Sequence, residues 1–257
     1  MTATDAPLLL LHGVMMSETV WDEVIPALGD RREVIAMTAM GHRGGPPATR
    51  HPTRVEDLID DVERRLDDLA VPRAHIAGNS LGGWMSIELA RRGRAVTVCA
   101  ISPAGFWDTG AASNHDATAR LRREVALARV GRHLAAPAMR VPLLRRTLLR
   151  NIADHGDRIT AAQATKIVGD LTACAVSTDL LSTRAQIAPL RALPCPITVA
   201  WAEHDRIFPP SVNGVIARLR LPDARFVVLS GVGHVPMIDD PALVAATILE
   251  SIERADS

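Results

Sequence analysis

The segment Gly78-Asn79-Ser80-Leu81-Gly82 carries a serine with glycine two places away on either side. It follows a short apolar run, His75-Ile76-Ala77, and precedes a helical pattern from Leu81 to Arg92. A strand-to-helix turn this tight strains the backbone of its central residue and crowds its neighbours, so side chains two places away would clash. The turn leaves a hydroxyl exposed at the carboxyl edge of a sheet. The N–H of Leu81, opening the helix, can then hold a developing negative charge. Ser80 is therefore the candidate nucleophile.

A serine hydroxyl needs a base, and the base needs a carboxylate to orient it. After a nucleophile on such a turn, the acid and then the base follow along the chain. Of the nine histidines, His12, His42 and His51 come too early, and His75 feeds the turn itself. His115, His133 and His155 fall in a helical middle region. His234, in the glycine loop Ser230-Gly231-Val232-Gly233-His234 after the last apolar strand, is the expected base, with His204 an outside candidate. Asp205 leaves the penultimate strand and is the expected acid. Asp108, after the fourth strand, is the alternative, and Glu203 sits too close to its strand to reach. The second oxyanion donor is expected at the N–H of Val14, after His12-Gly13 ends the first strand, while His12 braces that turn. Met15, Trp84, Phe106, Trp107, Phe208 and Val235 are the expected apolar lining of a pocket.

These residues must be positioned by a sheet. Apolar runs at Leu8–Leu11, Glu33–Met37, His75–Ala77, Ala95–Ile101, Ile197–Trp201 and Arg225–Leu229 alternate with amphipathic stretches, the rhythm of βα units. Trp21 to Leu28 reads as a short helix. Val55, Ile59, Val62 and Leu66 fall on one helical face, and last helices run from Ser211 to Leu219 and from Pro241 to Ile252. The rhythm breaks from about 106 to 191. There Leu121, Val125 and Ala128 share a face, and Leu143, Leu144, Thr147, Leu148 and Ile152 suggest another helix. Residues 1–105 and 192–257 are thus expected to form the core, and 106–191 a helical cap. The cap region is net basic while the remainder is net acidic, which reads as a solvated surface or as attraction for acidic substrates or an anionic membrane.

The 257-residue chain has no net formal charge, little aromatic content and no basic stripe, which sets nucleic acid aside. The longest apolar runs are strand-sized and the first residues lack a signal pattern, so the expectation is a cytoplasmic protein without stable membrane insertion. Cys99, Cys174 and Cys195 have the spacing of neither a disulfide framework nor a zinc site.

Three separated motifs together resemble the α/β-hydrolase superfamily: Leu11-His12-Gly13-Val14 with Trp21, Gly78 to Gly83, and Asp205 with Gly233-His234. The resemblance implies an α/β fold with a mainly parallel sheet of about six strands flanked by helices and carrying a helical cap. It implies a Ser80–His234–Asp205 triad with oxyanion donors at Val14 and Leu81, and no metal or organic cofactor. The chain looks most like the small bacterial esterase and perhydrolase branch, so the expected reaction is cleavage of a small-molecule carboxylic ester through an acyl-enzyme. Haloalkane dehalogenases and epoxide hydrolases carry Asp where this chain has Ser80, which disfavours those activities. Thioesterases share the triad. Carbon–carbon bond hydrolases of the meta-cleavage type share the Gly-Asn-Ser turn but usually carry Gly-Pro-Gly where this chain reads Val14-Met15-Met16. They and a slow-turnover ligand receptor of the same fold are the alternatives.

Overall fold

The computed structural model describes residues 6–30, 32–108, 121–123 and 125–254. Six strands form one parallel sheet: β1 (Leu8–Leu11), β2 (Val34–Met37), β3 (Ala74–Asn79), β4 (Ala95–Ile101), β5 (Ile197–Ala202) and β6 (Arg225–Leu229). Their order is β2-β1-β3-β4-β5-β6. β1 is four leucines, all buried, as expected of a strand covered on both faces. From β1 the chain goes first to β2 on one side and then returns to β3 on the other. The switch point lies beyond the carboxyl ends of β1 and β3, where open sheets of this kind bind ligands. Gly13 and Ser80 follow those two ends.

β3 extends past Ala77 through Gly78 and Asn79, residues of low strand propensity. Pairing on both sides outweighs that preference, with Gly78 opposite Leu11 and Asn79 opposite Ile101. The helix Val55–Asp68 buries Val55, Leu58, Ile59, Val62 and Leu66 along one face. The helix Leu81–Arg91 is buried almost throughout, and Pro241–Glu253 starts with the Asp240 carboxylate accepting the Leu243 N–H at 2.9 Å. The stretch expected as one helix from Trp21 to Leu28 is a 3₁₀ turn, Glu18–Trp21, followed by the short helix Ile25–Leu28. Pro26 supplies no N–H and fits only the first turn of a helix, so it restarts the winding.

Between β4 and β5 the described residues contain helices and no strand. Helical residues 121–123 and 125–130 precede the helices Arg132–Met139, Pro142–Leu149, Ala161–Ala173 and Ser177–Leu181. Leu121, Val125 and Ala128 are the more sheltered positions of the first stretch, as the pattern predicts. In Pro142–Leu149 the buried residues are instead Arg145 and Leu149, while Leu143, Leu144 and Leu148 face solvent. The Arg145 guanidinium donates to the carbonyls of Met139 (2.6 Å) and Asp157 (3.1 Å), and those bonds fix which face turns inward. Arg220 joins the two stems of this region by donating to the carbonyls of Gly105, Trp107 and Ile187.

The helix after β3 can reach the sheet only because Gly82 lacks a side chain. A Cβ there would lie 2.2 Å from the Leu11 carbonyl oxygen and 2.8 Å from that of His12. Gly82→Ala is expected to cost about 3 kcal/mol or more in urea unfolding. Gly93→Ala, at φ +79 with open space around it, should cost about 1 kcal/mol. Equal losses at the two sites would contradict the close-approach argument.

Candidate active site

Ser80 sits at φ 55, ψ −112, a conformation that costs a non-glycine residue about 1–3 kcal/mol. Its own backbone holds it there. The Ser80 N–H donates to Ile101 O at 2.9 Å, and its carbonyl accepts from Trp84 N (3.0 Å) and Ala104 N (2.9 Å). A Cβ on Gly78 would lie 2.2 Å from the Gly82 carbonyl oxygen, and one on Gly13 would lie 3.2 Å from Ser80 Cβ. The ends of β1 and β3 and the start of the helix therefore converge on one serine.

His234 and Asp205 meet in a buried contact, Nδ1 to Oδ2 at 2.7 Å. The other Asp205 oxygen accepts the N–H groups of Ile207 (2.9 Å) and Phe208 (2.8 Å), so the carboxylate is fixed before it meets the ring. A carboxylate at Nδ1 selects the tautomer with the proton on that nitrogen and leaves Nε2 as the basic atom. Asn79 donates its amide to the His234 carbonyl at 2.9 Å and to Ile101 O at 3.2 Å, which ties the base loop to the serine turn.

Ser80 and His234 line one cavity of about 690 Å³, together with Val14, Leu81 and Asn79. Met15, Trp84, Trp107, Phe208 and Val235 also border it. Trp84 and Trp107 pack edge to face at 5.5 Å between ring centroids, Trp107 meets Phe208 at 5.8 Å, and Phe208 meets His234 at 5.3 Å. One wall is thus a run of aromatic rings ending at the imidazole. Phe106, expected on this wall, lies outside it. It is fully buried, 6.4 Å from the Trp201 ring, and its carbonyl accepts the Asn213 amide at 2.8 Å. Phe106 thus faces the core while its neighbour Trp107 faces the cavity.

The competing candidates have other placements. Asp108 borders the cavity, but the His234 Nδ1 contact belongs to Asp205. Glu203 accepts the Gly231 N–H at 2.9 Å, and His204 pairs with Asp154 at the surface. His75 is buried with Nδ1 2.9 Å from the Thr97 hydroxyl. Burial pushes the Cys99 thiol up to about 12 and those of Cys174 and Cys195 to about 11, so none offers a thiolate at neutral pH.

A model of the family described as "Alpha/beta hydrolase family" matches residues 8–247. The chain belongs to the alpha/beta hydrolase family. Epoxide hydrolase EphH of Mycobacterium tuberculosis is 35% identical to this hydrolase over 202 residues, covering 77% of this chain and 94% of that protein. Pimeloyl-[acyl-carrier protein] methyl ester esterase of Aromatoleum aromaticum is 29% identical, covering 96% of this chain and 98% of the relative. Among solved structures, a thermophilic esterase from Thermogutta terrifontis superposes with a TM-score of 0.76 at 23% identity, over 99% of this chain and 92% of that one. No described helix of this hydrolase is long and apolar enough to cross a membrane.

Two further residues support the hydrolase site: Asp239, which carries no sequence signature, and His12, expected from the sequence to brace the turn after β1. Asp239, buried, accepts the N–H of Gly233 at 2.7 Å and that of Asp154 at 3.0 Å on Oδ2, and that of His155 at 2.6 Å on Oδ1. It therefore holds the residue before His234 against the chain at 154–155. In sequence it is one of two adjacent aspartates, and its neighbour Asp240 merely caps a helix. Asp239→Asn turns one accepting oxygen into a donor and strands at least one buried N–H, so the melting midpoint should fall by an amount equal to about 1–3 kcal/mol.

His12 is the second support. Its Nε2 accepts the Ala39 N–H at 2.9 Å and its Nδ1 lies 2.7 Å from Gly13 O, a pattern that only the neutral ring satisfies. Burial, reinforced by neighbouring His42, lowers its pKa to about 3. His42 is lowered in the same direction, chiefly by burial. The unfolded chain binds protons on these rings that the folded chain refuses, so stability is full above about pH 6.5 and falls as pH drops toward 3. The His12 share of the slope should approach about 1.4 kcal/mol per pH unit, with His42 adding in the same direction, read from urea unfolding between neutral and mildly acidic pH. His12→Gln, which cannot titrate, should remove the His12 share and leave a shallower slope from His42.

Proposed function

We propose that this hydrolase cleaves carboxylic esters through an acyl-enzyme formed on Ser80. The observation that carries the reading is the His234–Asp205 contact on the same cavity as a serine held at φ 55. Ser80 Oγ attacks the ester carbonyl while His234 Nε2 takes its proton, and the Asp205 carboxylate steadies the imidazolium. The oxyanion is held by the N–H groups of Val14 and Leu81, each such donor typically contributing about two to three orders of magnitude in rate. His234 then gives its proton to the leaving alkoxide, and the alcohol departs. It next draws a proton from water, whose oxygen attacks the acyl group; as the acyl–Oγ bond breaks, His234 returns that proton to Ser80 Oγ and the acid is released. Residues 106–191 serve as a cap over this site, and the aromatic wall suits acyl or aryl groups of moderate size.

The relative named an epoxide hydrolase raises a second reading, which the serine disfavours. Opening an epoxide with Ser80 would leave an ether on Oγ, and attack by water has no carbonyl there through which to release it. An ester product, by contrast, turns over.

A fluorophosphonate probe should label the wild type and not Ser80→Ala, and p-nitrophenyl esters should be turned over. Asp205→Asn should lower kcat about 10³–10⁴-fold, because the ring loses the partner that fixes its tautomer. Labelling that survives Ser80→Ala sinks the proposal. Strong labelling without ester turnover would favour the receptor, or the carbon–carbon hydrolase if a vinylogous diketone is cleaved.

A further inference from the structure

Exposed apolar side chains are unevenly spread over this hydrolase. Among the described residues twelve large hydrophobics are exposed, and seven of them lie between Leu127 and Leu148. Leu127, Val130, Leu134, Leu143 and Leu148 are each exposed by 59–83%. None of the seven borders the active-site cavity, so substrate binding does not account for them. Exposed apolar side chains concentrated in one stretch of chain point to a surface that meets something apolar.

The same stretch is strongly basic. Residues 121–150 hold eight arginines and one acidic residue, Glu124. Arg123, Arg140, Arg146 and Arg150 are exposed, and among the described residues no carboxylate pairs with them. The stretch also abuts the site. Leu121 and Arg122 at one end and Ile152 just past the other border the cavity, and the Ile152 carbonyl accepts the Val235 N–H at 2.7 Å, next to His234.

We propose that the basic, leucine-bearing face of residues 121–150 docks this hydrolase peripherally on an anionic lipid surface, with the cavity beside the membrane. Leucine and valine side chains enter the boundary between headgroups and acyl chains, while the arginines lay their stems along it and reach phosphate oxygens. Self-association through this face would set arginines against arginines. A folded acidic partner would instead draw its energy from a few anchors seated in pockets. Here the apolar residues are spread over three successive short helical segments, which suits a fluid surface offering many equivalent small contacts. The inference is independent of the bond that the enzyme cleaves.

The test is flotation of the full-length protein with vesicles of phosphatidylglycerol and phosphatidylcholine in equal parts, against phosphatidylcholine alone. The anionic vesicles should bind at least about tenfold more tightly, and molar salt should abolish the difference. Leu144→Ser with Leu148→Ser, and separately Arg140→Gln with Arg146→Gln, should each weaken binding about tenfold or more while leaving the melting midpoint unchanged. Equal affinity for both vesicles overturns the proposal. So does binding that the leucine pair does not affect. A concentration-dependent dimer in light scattering, lost in the leucine pair, would assign the face to a second copy; capture by an acidic soluble protein but not by vesicles would assign it to a protein partner.

Discussion

Backbone touches backbone where the helix Leu81–Arg91 crosses the end of β1, and the remaining site geometry follows from that approach. With no side chain at Gly82, the helix starts against the Leu11 and His12 carbonyls. With none at Gly78, the turn can fold back on itself. These two contacts leave Ser80 no room to relax out of its strained conformation, and pairing of Asn79 with Ile101 and of Gly78 with Leu11 anchors the strand that delivers it. The strain persists because the packing around it is over-determined.

His234 lies in a loop with little regular structure, so its position depends on polar ties rather than on a strand. Asn79 holds the His234 carbonyl, Asp205 holds the ring, and Asp239 holds Gly233. Asp239 also grips residues 154 and 155, and Ile152 bonds Val235. The loop carrying His234 is therefore built partly on the chain between β4 and β5. These bonds couple the placement of His234 to that of the chain between β4 and β5.

Candidate residues and their order could be proposed from the sequence because tight turns permit few residues. Ser80 was singled out by its glycines, and His234 by its position after the last strand. The helix Val55–Asp68 was legible because one face is apolar at helical spacing. Phe106 was misplaced because two adjacent aromatics look alike in a sequence, and only their contacts in the folded chain separate them. The leucines of Pro142–Leu149 signalled a helix but not its orientation: Arg145 takes the inner face, where it donates to two carbonyls. Hydrophobicity patterns carry no record of such needs.

By itself, then, the sequence determined the parallel α/β architecture and a short set of residues able to do acyl chemistry, because both rest on local rules: apolar runs of strand length, and glycine where backbone crowds backbone. Tertiary structure alone decided that Phe106 leaves the cavity wall and that Asp239 supports the loop carrying His234. Those outcomes depend on hydrogen bonds between segments far apart in the chain, and a donor and its acceptor carry no shared mark until folding brings them within 3 Å.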